Sequence, residues 1–186
     1  MKIHNFRDSL ETGKAVEEEF KSLVELLRIP YGDVRHSPEH QKLGIDFYIQ
    51  NLVGDPNTLC SYDVKYDERS YQTGNIAVET VSVMDNDGNI KRQGWVYTSE
   101  AQLFVYVQTT RVASVYSFFS KQELLQIVKQ GQRKAVYNEG YRSEVVVLPR
   151  RLVKVPVFTL LFNQEPDIVK FRKAVLQSQG ALNVTV

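Results

Sequence analysis

Asp46, Asp63 and Lys65 stand in a stretch, residues 44–79, that is otherwise written for β-structure. Three short apolar runs at 45–49, 59–66 and 76–83 are separated by Gly, Pro, Asn and Asp, the pattern of successive strands joined by turns. A carboxylate inside a strand is disfavoured by propensity and costly against a core, so both aspartates need a reason to be there. Side chains alternate across a strand. In Tyr62-Asp63-Val64-Lys65-Tyr66 the aspartate and the lysine therefore share one face, and the apolar set is expected to turn inward from the other. If the preceding strand pairs with this one, Asp46 comes alongside Asp63. Two carboxylates with an ammonium beside them make a site for a hard divalent cation.

Helical spacing of Val16, Phe20, Leu23, Val24 and Leu27, with Glu17, Glu18, Glu19, Lys21 and Glu25 between them, predicts an amphipathic helix over 9–29. Ser9 is placed to cap it, and Pro30 lies just past its end. Gly13, near its start, is a poor helix former. Residues 31–43 read as loop or a ragged edge strand. His36 and His40 within it are either a metal-binding pair or solvated loop histidines, and the second reading is favoured because no third N or S ligand at useful spacing accompanies them. Asp85-Asn86-Asp87-Gly88-Asn89 has the look of a calcium loop, but its Gly comes too early and the distal Glu is missing, so it reads as a hairpin turn.

Ser99 with Glu100 is expected to open a short helical turn, followed by strands at 103–107 and 112–119. Ser120 then caps a helix over 121–130 with an apolar stripe of Leu124, Leu125 and Val128. Residues 137–141 are turn-rich, and strands are expected at 145–148 and 155–162. A helix over 166–177 has Pro166 in its first turn, and 181–186 reads as a loose tail or edge strand.

The 186 residues fit a single domain with a substantial core, and 42% apolar with 24% charged residues is ordinary globular composition. A net charge of +1 gives no global attraction for a polyanion, although a balanced total can hide a basic rim around an acidic site. One cysteine, Cys60, excludes an intramolecular disulfide framework and any zinc site of paired cysteines. The amino terminus has no apolar signal region and no run reaches membrane-spanning length, so a cytoplasmic protein is expected.

Asp46 followed by Asp63-Val64-Lys65, after a turn-containing interval and behind an acidic helix, resembles the PD-(D/E)XK nuclease superfamily of type II restriction enzymes and Holliday junction resolvases. Ile45 stands where that motif has Pro. The resemblance runs from Gly13 and Glu17 through a third strand with Thr73-Gly74-Asn75 and Glu79, then to Gly94-Trp95 ahead of Ser99, Ala101 and a strand. That order is similar to phage and bacterial nuclease-like members and covers about residues 10–130, leaving 131–186 as a C-terminal extension without a motif.

The resemblance implies an α/β fold, a restriction-endonuclease-like mixed β-sheet core (αβββαβ) flanked by helices. It implies an Mg²⁺-dependent endodeoxyribonuclease, with Mn²⁺ as a substitute. Asp46, Asp63 and the main-chain carbonyl of Val64 would be the ligands, a set that suits octahedral oxygen coordination. The metal would activate water for in-line attack on a phosphodiester, and Lys65 would orient that water or neutralise the transition state. The superfamily's helix glutamate falls on Glu17, with Glu18 the competing register.

Glu79 shares a strand face with Asn75 and Ala77, and either reaches the same cluster or is a solvated strand residue. Gln72 and Asn75 are further candidates to position a phosphate. Arg69, and the basic cluster Arg150, Arg151 and Lys154, are candidate nucleic-acid contacts. Trp95 and the tyrosines either stack on bases or belong to the core. DNA is the expected partner, and cutting both strands suits a homodimer. The competing readings are a catalytically silent nuclease-fold protein that binds DNA or serves assembly, and a generic α+β domain with a coincidental Asp-x-Lys.

Overall fold

The structure is a computed structural model that describes residues 6–67, 70–138 and 141–182. Helix α1 (Phe6–Leu26) is followed by β1 (Tyr31–Asp33), α2 (Pro38–Leu43), β2 (Phe47–Gln50) and β3 (Leu59–Tyr66). Next come α3 (Ser70–Thr73), β4 (Asn75–Met84), β5 (Ile90–Gln93), α4 (Trp95–Thr98), β6 (Leu103–Thr109), β7 (Ala113–Ser120) and α5 (Lys121–Gln130). The chain continues through β8 (Gln132–Asn138), β9 (Tyr141–Pro149), a 3₁₀ turn (Arg150–Leu152), β10 (Val157–Leu161) and α6 (Ile168–Leu182).

These strands make a mixed six-stranded sheet in the order β1-β2-β3-β6-β7-β10 and an antiparallel four-stranded sheet in the order β5-β4-β9-β8. Within the first sheet only β3 and β6 run parallel. A parallel step needs a crossover, and here the crossover carries α3, the β4–β5 hairpin and α4. The first half of the second sheet is thus delivered by the connection that closes the first.

Each face of the six-stranded sheet builds its own core. On one, α1 and α6 pack Phe20, Leu23, Phe171 and Val175 against Phe47, Tyr62, Val64, Val105, Tyr116 and Phe118. The Phe20 ring lies 5.5 Å from Phe47 and 6.1 Å from Phe171. On the other, Phe104, Tyr106 and Phe119 meet Ile76, Val78 and Val146 of the second sheet and Leu124, Ile127 and Val128 of α5. The alternation expected over 62–66 is what the first sheet shows.

Several elements differ from their expected bounds. α1 begins at Phe6, so Ser9 lies inside it rather than at its cap. Residues 31–43 hold both β1 and the short helix α2. The α2 helix has Ser37 as N-cap, Pro38 in its first turn and Gly44 in the left-handed region at φ 64°. A side chain there would meet Ser99 2.9 Å away. The helical turn expected to start at Ser99 instead ends there: α4 is capped by Gly94, and Ser99 Oγ donates to the Gly44 carbonyl at 2.9 Å.

The 85–89 turn joins β4 to β5. Ser120 forms a full capping box with Glu123 on α5. α6 starts at Ile168, beyond Pro166, with the Asp167 carboxylate accepting from the Lys170 N–H at 3.1 Å, and it includes Ala181 and Leu182; 183–186 lie outside the described residues. The motif-free segment from residue 131 supplies β8, β9, β10 and α6, and so belongs to both sheets and to the first core.

Candidate functional site

The antiparallel register of β2 on β3 pairs Phe47 with Tyr62. Asp46 prolongs that ladder by one step, its N–H donating to the Tyr62 carbonyl at 2.8 Å while its own carbonyl accepts from Val34 at 3.0 Å. Beyond this point its side chain takes over: Asp46 Oδ2 accepts from the Val64 N–H at 2.7 Å. The N–H and C=O of one extended residue point to the same strand edge, so Val64 directs its carbonyl to the side where Asp46 stands.

Asp63 is 1% exposed, and its Oδ1 is 2.7 Å from Lys65 Nζ. Its second oxygen, Oδ2, is buried with no hydrogen-bond partner. The Lys65 side chain remains 27% exposed, its ammonium lying 5.5 Å from the centre of the Trp95 ring.

Burial is the largest influence on Asp63 and raises its pKa. The Lys65 charge pulls it back, and the neighbouring Asp46 charge pushes it up again. For Lys65, burial opposes the charge, yet Asp63, Asp46 and Glu17 together carry its pKa above the ordinary value, so it stays an ammonium ion. Glu17 on α1 belongs to the same field. Burial, then the Asp46 charge, lift its pKa to about 7 against the pull of Arg35 and Lys65. Glu18 faces out and pairs with Arg35 at 2.8 Å, so Glu17 is the helix glutamate that senses the cluster.

Sequence reasoning missed Arg35 and Asp33. The buried Arg35 guanidinium lies 4.9 Å from the centre of the Phe47 ring and holds Asp33 through Nε (2.9 Å) and Nη2 (2.6 Å). Its Nη1 is 3.7 Å from Glu17. The one local signal was the alternation Asp33-Val34-Arg35 in a segment that is extended at β1; that the arginine would be buried depends on α1 packing across it.

Other candidates lie elsewhere. Glu79 and Asn75 belong to β4 in the second sheet, where the Glu79 carboxylate accepts from Ser82 and Asn75 only begins the strand beside Pro149. The strand-face argument for their joining Asp46 and Asp63 fails because β4 pairs with β9 and not with β3. Gln72 is exposed on α3, and Arg69 lies outside the described residues. Arg150 is turned back onto its own 3₁₀ turn, Nη1 donating to the Val153 carbonyl at 2.9 Å, and its burial lowers its pKa; Arg151 and Lys154 are exposed. His36 is exposed, and His40 packs on Tyr48 with Nδ1 2.7 Å from Ser37 Oγ. Trp95 serves both site and core, lying beneath Lys65 and against Phe104.

Among the described residues no three His, Cys, Asp or Glu side chains gather closely enough to hold a metal ion. The cluster offers two carboxylates, and a cation would need the Val64 carbonyl as well. The donor set fits a hard cation on one count in particular: no N–H reaches the buried Asp63 Oδ2, and the Asp63 carboxyl is close enough to that of Asp46 for the two to share a proton, the place a cation would take. Comparison of the chain with protein-family models, with curated proteins and with solved structures finds no match.

Proposed function

We propose that this chain is a divalent-cation-dependent nuclease of the PD-(D/E)XK type, built on a restriction-endonuclease-like core, which hydrolyses phosphodiester bonds of DNA in the cytoplasm. The observation that carries this reading is the convergence of Asp46, Asp63 and Lys65, with one buried Asp63 oxygen left without a donor. Asp46, Asp63 and the Val64 carbonyl would hold Mg²⁺, or Mn²⁺ in its place. When bound, the cation supplies Lewis acidity toward water and a phosphate oxygen.

The chain's own groups do the rest. Lys65, kept charged by its carboxylate neighbours, sets a positive charge where negative charge develops on the phosphoryl oxygens. Glu17, whose carboxyl is raised above the usual range by burial, is the base offered to the attacking water, and Arg35, 3.7 Å away, keeps it from turning away. Ionised Asp63 is the form that binds a cation, and Lys65 helps hold it there.

The test is cleavage of linear, single-stranded and four-way-junction DNA in Mg²⁺ or Mn²⁺. Activity should vanish on chelation, fall about 10³-fold in Asp63→Asn and fall roughly 10²- to 10³-fold in Lys65→Ala. Cation binding without cleavage would move the chain to the silent, DNA-binding alternative. The absence of both would end the nuclease reading.

A further inference from the structure

The second sheet carries a pocket of about 540 Å³ that takes no part in the chemistry above. Helix α4 joins the two: Trp95 sits beneath the Lys65 ammonium, and Tyr97, two residues on, lines the pocket. The volume is that of a small-molecule site. Tyr97, Met84 and Ile90 give it apolar walls.

Part of its lining is polar. Buried Thr80 donates through Oγ1 to Glu144 Oε1 at 2.8 Å, and Arg133 Nη1 donates to the same oxygen at 2.6 Å. A carboxylate and a guanidinium therefore lie side by side, the first an acceptor and the second holding further N–H donors.

We infer that this pocket receives an unpaired guanine base of the nucleic acid bound at Asp46, Asp63 and Lys65. Guanine alone among the four DNA bases presents two adjacent N–H donors beside a carbonyl acceptor on its Watson–Crick edge. To admit the base, the Arg133 guanidinium, 63% exposed, swings from Glu144 Oε1 onto the guanine carbonyl; the two Glu144 oxygens then accept from the N–H donors, and the ring stacks against Tyr97. The source of that base rests on the nuclease reading, whereas the pocket's chemistry does not.

Calorimetric titration with deoxynucleoside monophosphates tests it. The wild-type chain should bind dGMP at least ten-fold more tightly than dAMP, dCMP or dTMP, and inorganic phosphate should not compete. Tyr97→Ala should weaken dGMP binding about ten-fold, the loss of one base–aromatic stack, while Tyr97→Phe retains it. The Tyr97 side chain is 44% exposed, so its truncation leaves the core in place; Glu144→Gln, read by the loss of guanine preference, provides a second variant. No dGMP binding, equal affinity for all four nucleotides, or affinity unchanged in Tyr97→Ala would overturn the inference. Asp63→Asn should bind dGMP like wild type while losing cleavage. Binding without any wild-type cleavage would thus sink the nuclease reading alone, and cleavage without dGMP binding would sink the pocket alone.

Discussion

Asp63 and Glu17 hold carboxyls whose pKa values in the fold lie above those of an unfolded chain, chiefly through burial. A group shifted in that direction adds stability at a pH below its unfolded value and loses it as the pH climbs through the folded value. Between about pH 4 and pH 8 both carboxyls therefore work against the fold as they ionise. Thermal unfolding of the metal-free protein should show a midpoint that falls over that range. Mg²⁺ at pH 8, by binding the ionised pair, should raise it again by mass action. Asp63→Asn should flatten the fall and remove the Mg²⁺ effect. A midpoint indifferent to both pH and Mg²⁺ would mean that the pair is neither strained nor a cation site. The alternation placing Asp63 and Lys65 on one face was legible in five residues, because strand periodicity is local. The Arg35 network was not, since it needs α1, β1 and β2 at once.

At the scale of elements, α4 shows how one backbone contact positions a side chain of the site. Gly94 caps this single turn, and a Cβ there would lie 2.2 Å from the Glu79 carbonyl oxygen of β4. The helix can sit against the strand only because residue 94 has no side chain. Gly94→Ala should cost about 1–3 kcal/mol, as small-to-large changes at packed contacts do, and should move Trp95 away from Lys65. Urea denaturation measures the first effect. The second should appear as a change in the fluorescence of Trp95, the chain's one tryptophan, together with reduced cleavage. The same glycine explains a misplaced element. Ser99-Glu100 looks like a helix start by composition, but the cap that operates is Gly94, whose role is set by the distant Glu79. Where the cap is a side chain, as with Ser120 and Glu123 on α5, local sequence and structure agree.

For the whole molecule, the informative segment is the one without a motif. Asp46, Asp63, Lys65 and Glu17 all precede residue 131, and their elements were largely readable because α1, β2 and β3 are near one another in sequence. Strands over 76–83 and 145–148 were readable, but their pairing into a second sheet was not, because β4 finds its inner neighbour, β9, across some sixty residues. Completion of the first core is equally remote: α6 places Phe171, fully buried, 5.1 Å from the Phe158 ring and 6.2 Å from Phe118. Phe171→Ala should therefore destabilise the chain by about 3–5 kcal/mol, the range for removing a buried aromatic ring, as measured by urea unfolding. A chain ending at residue 130 should fail to melt cooperatively, although it holds every proposed catalytic group. A cooperative, cation-responsive 1–130 fragment would show instead that β9 and α6 decorate the site's scaffold and do not complete it.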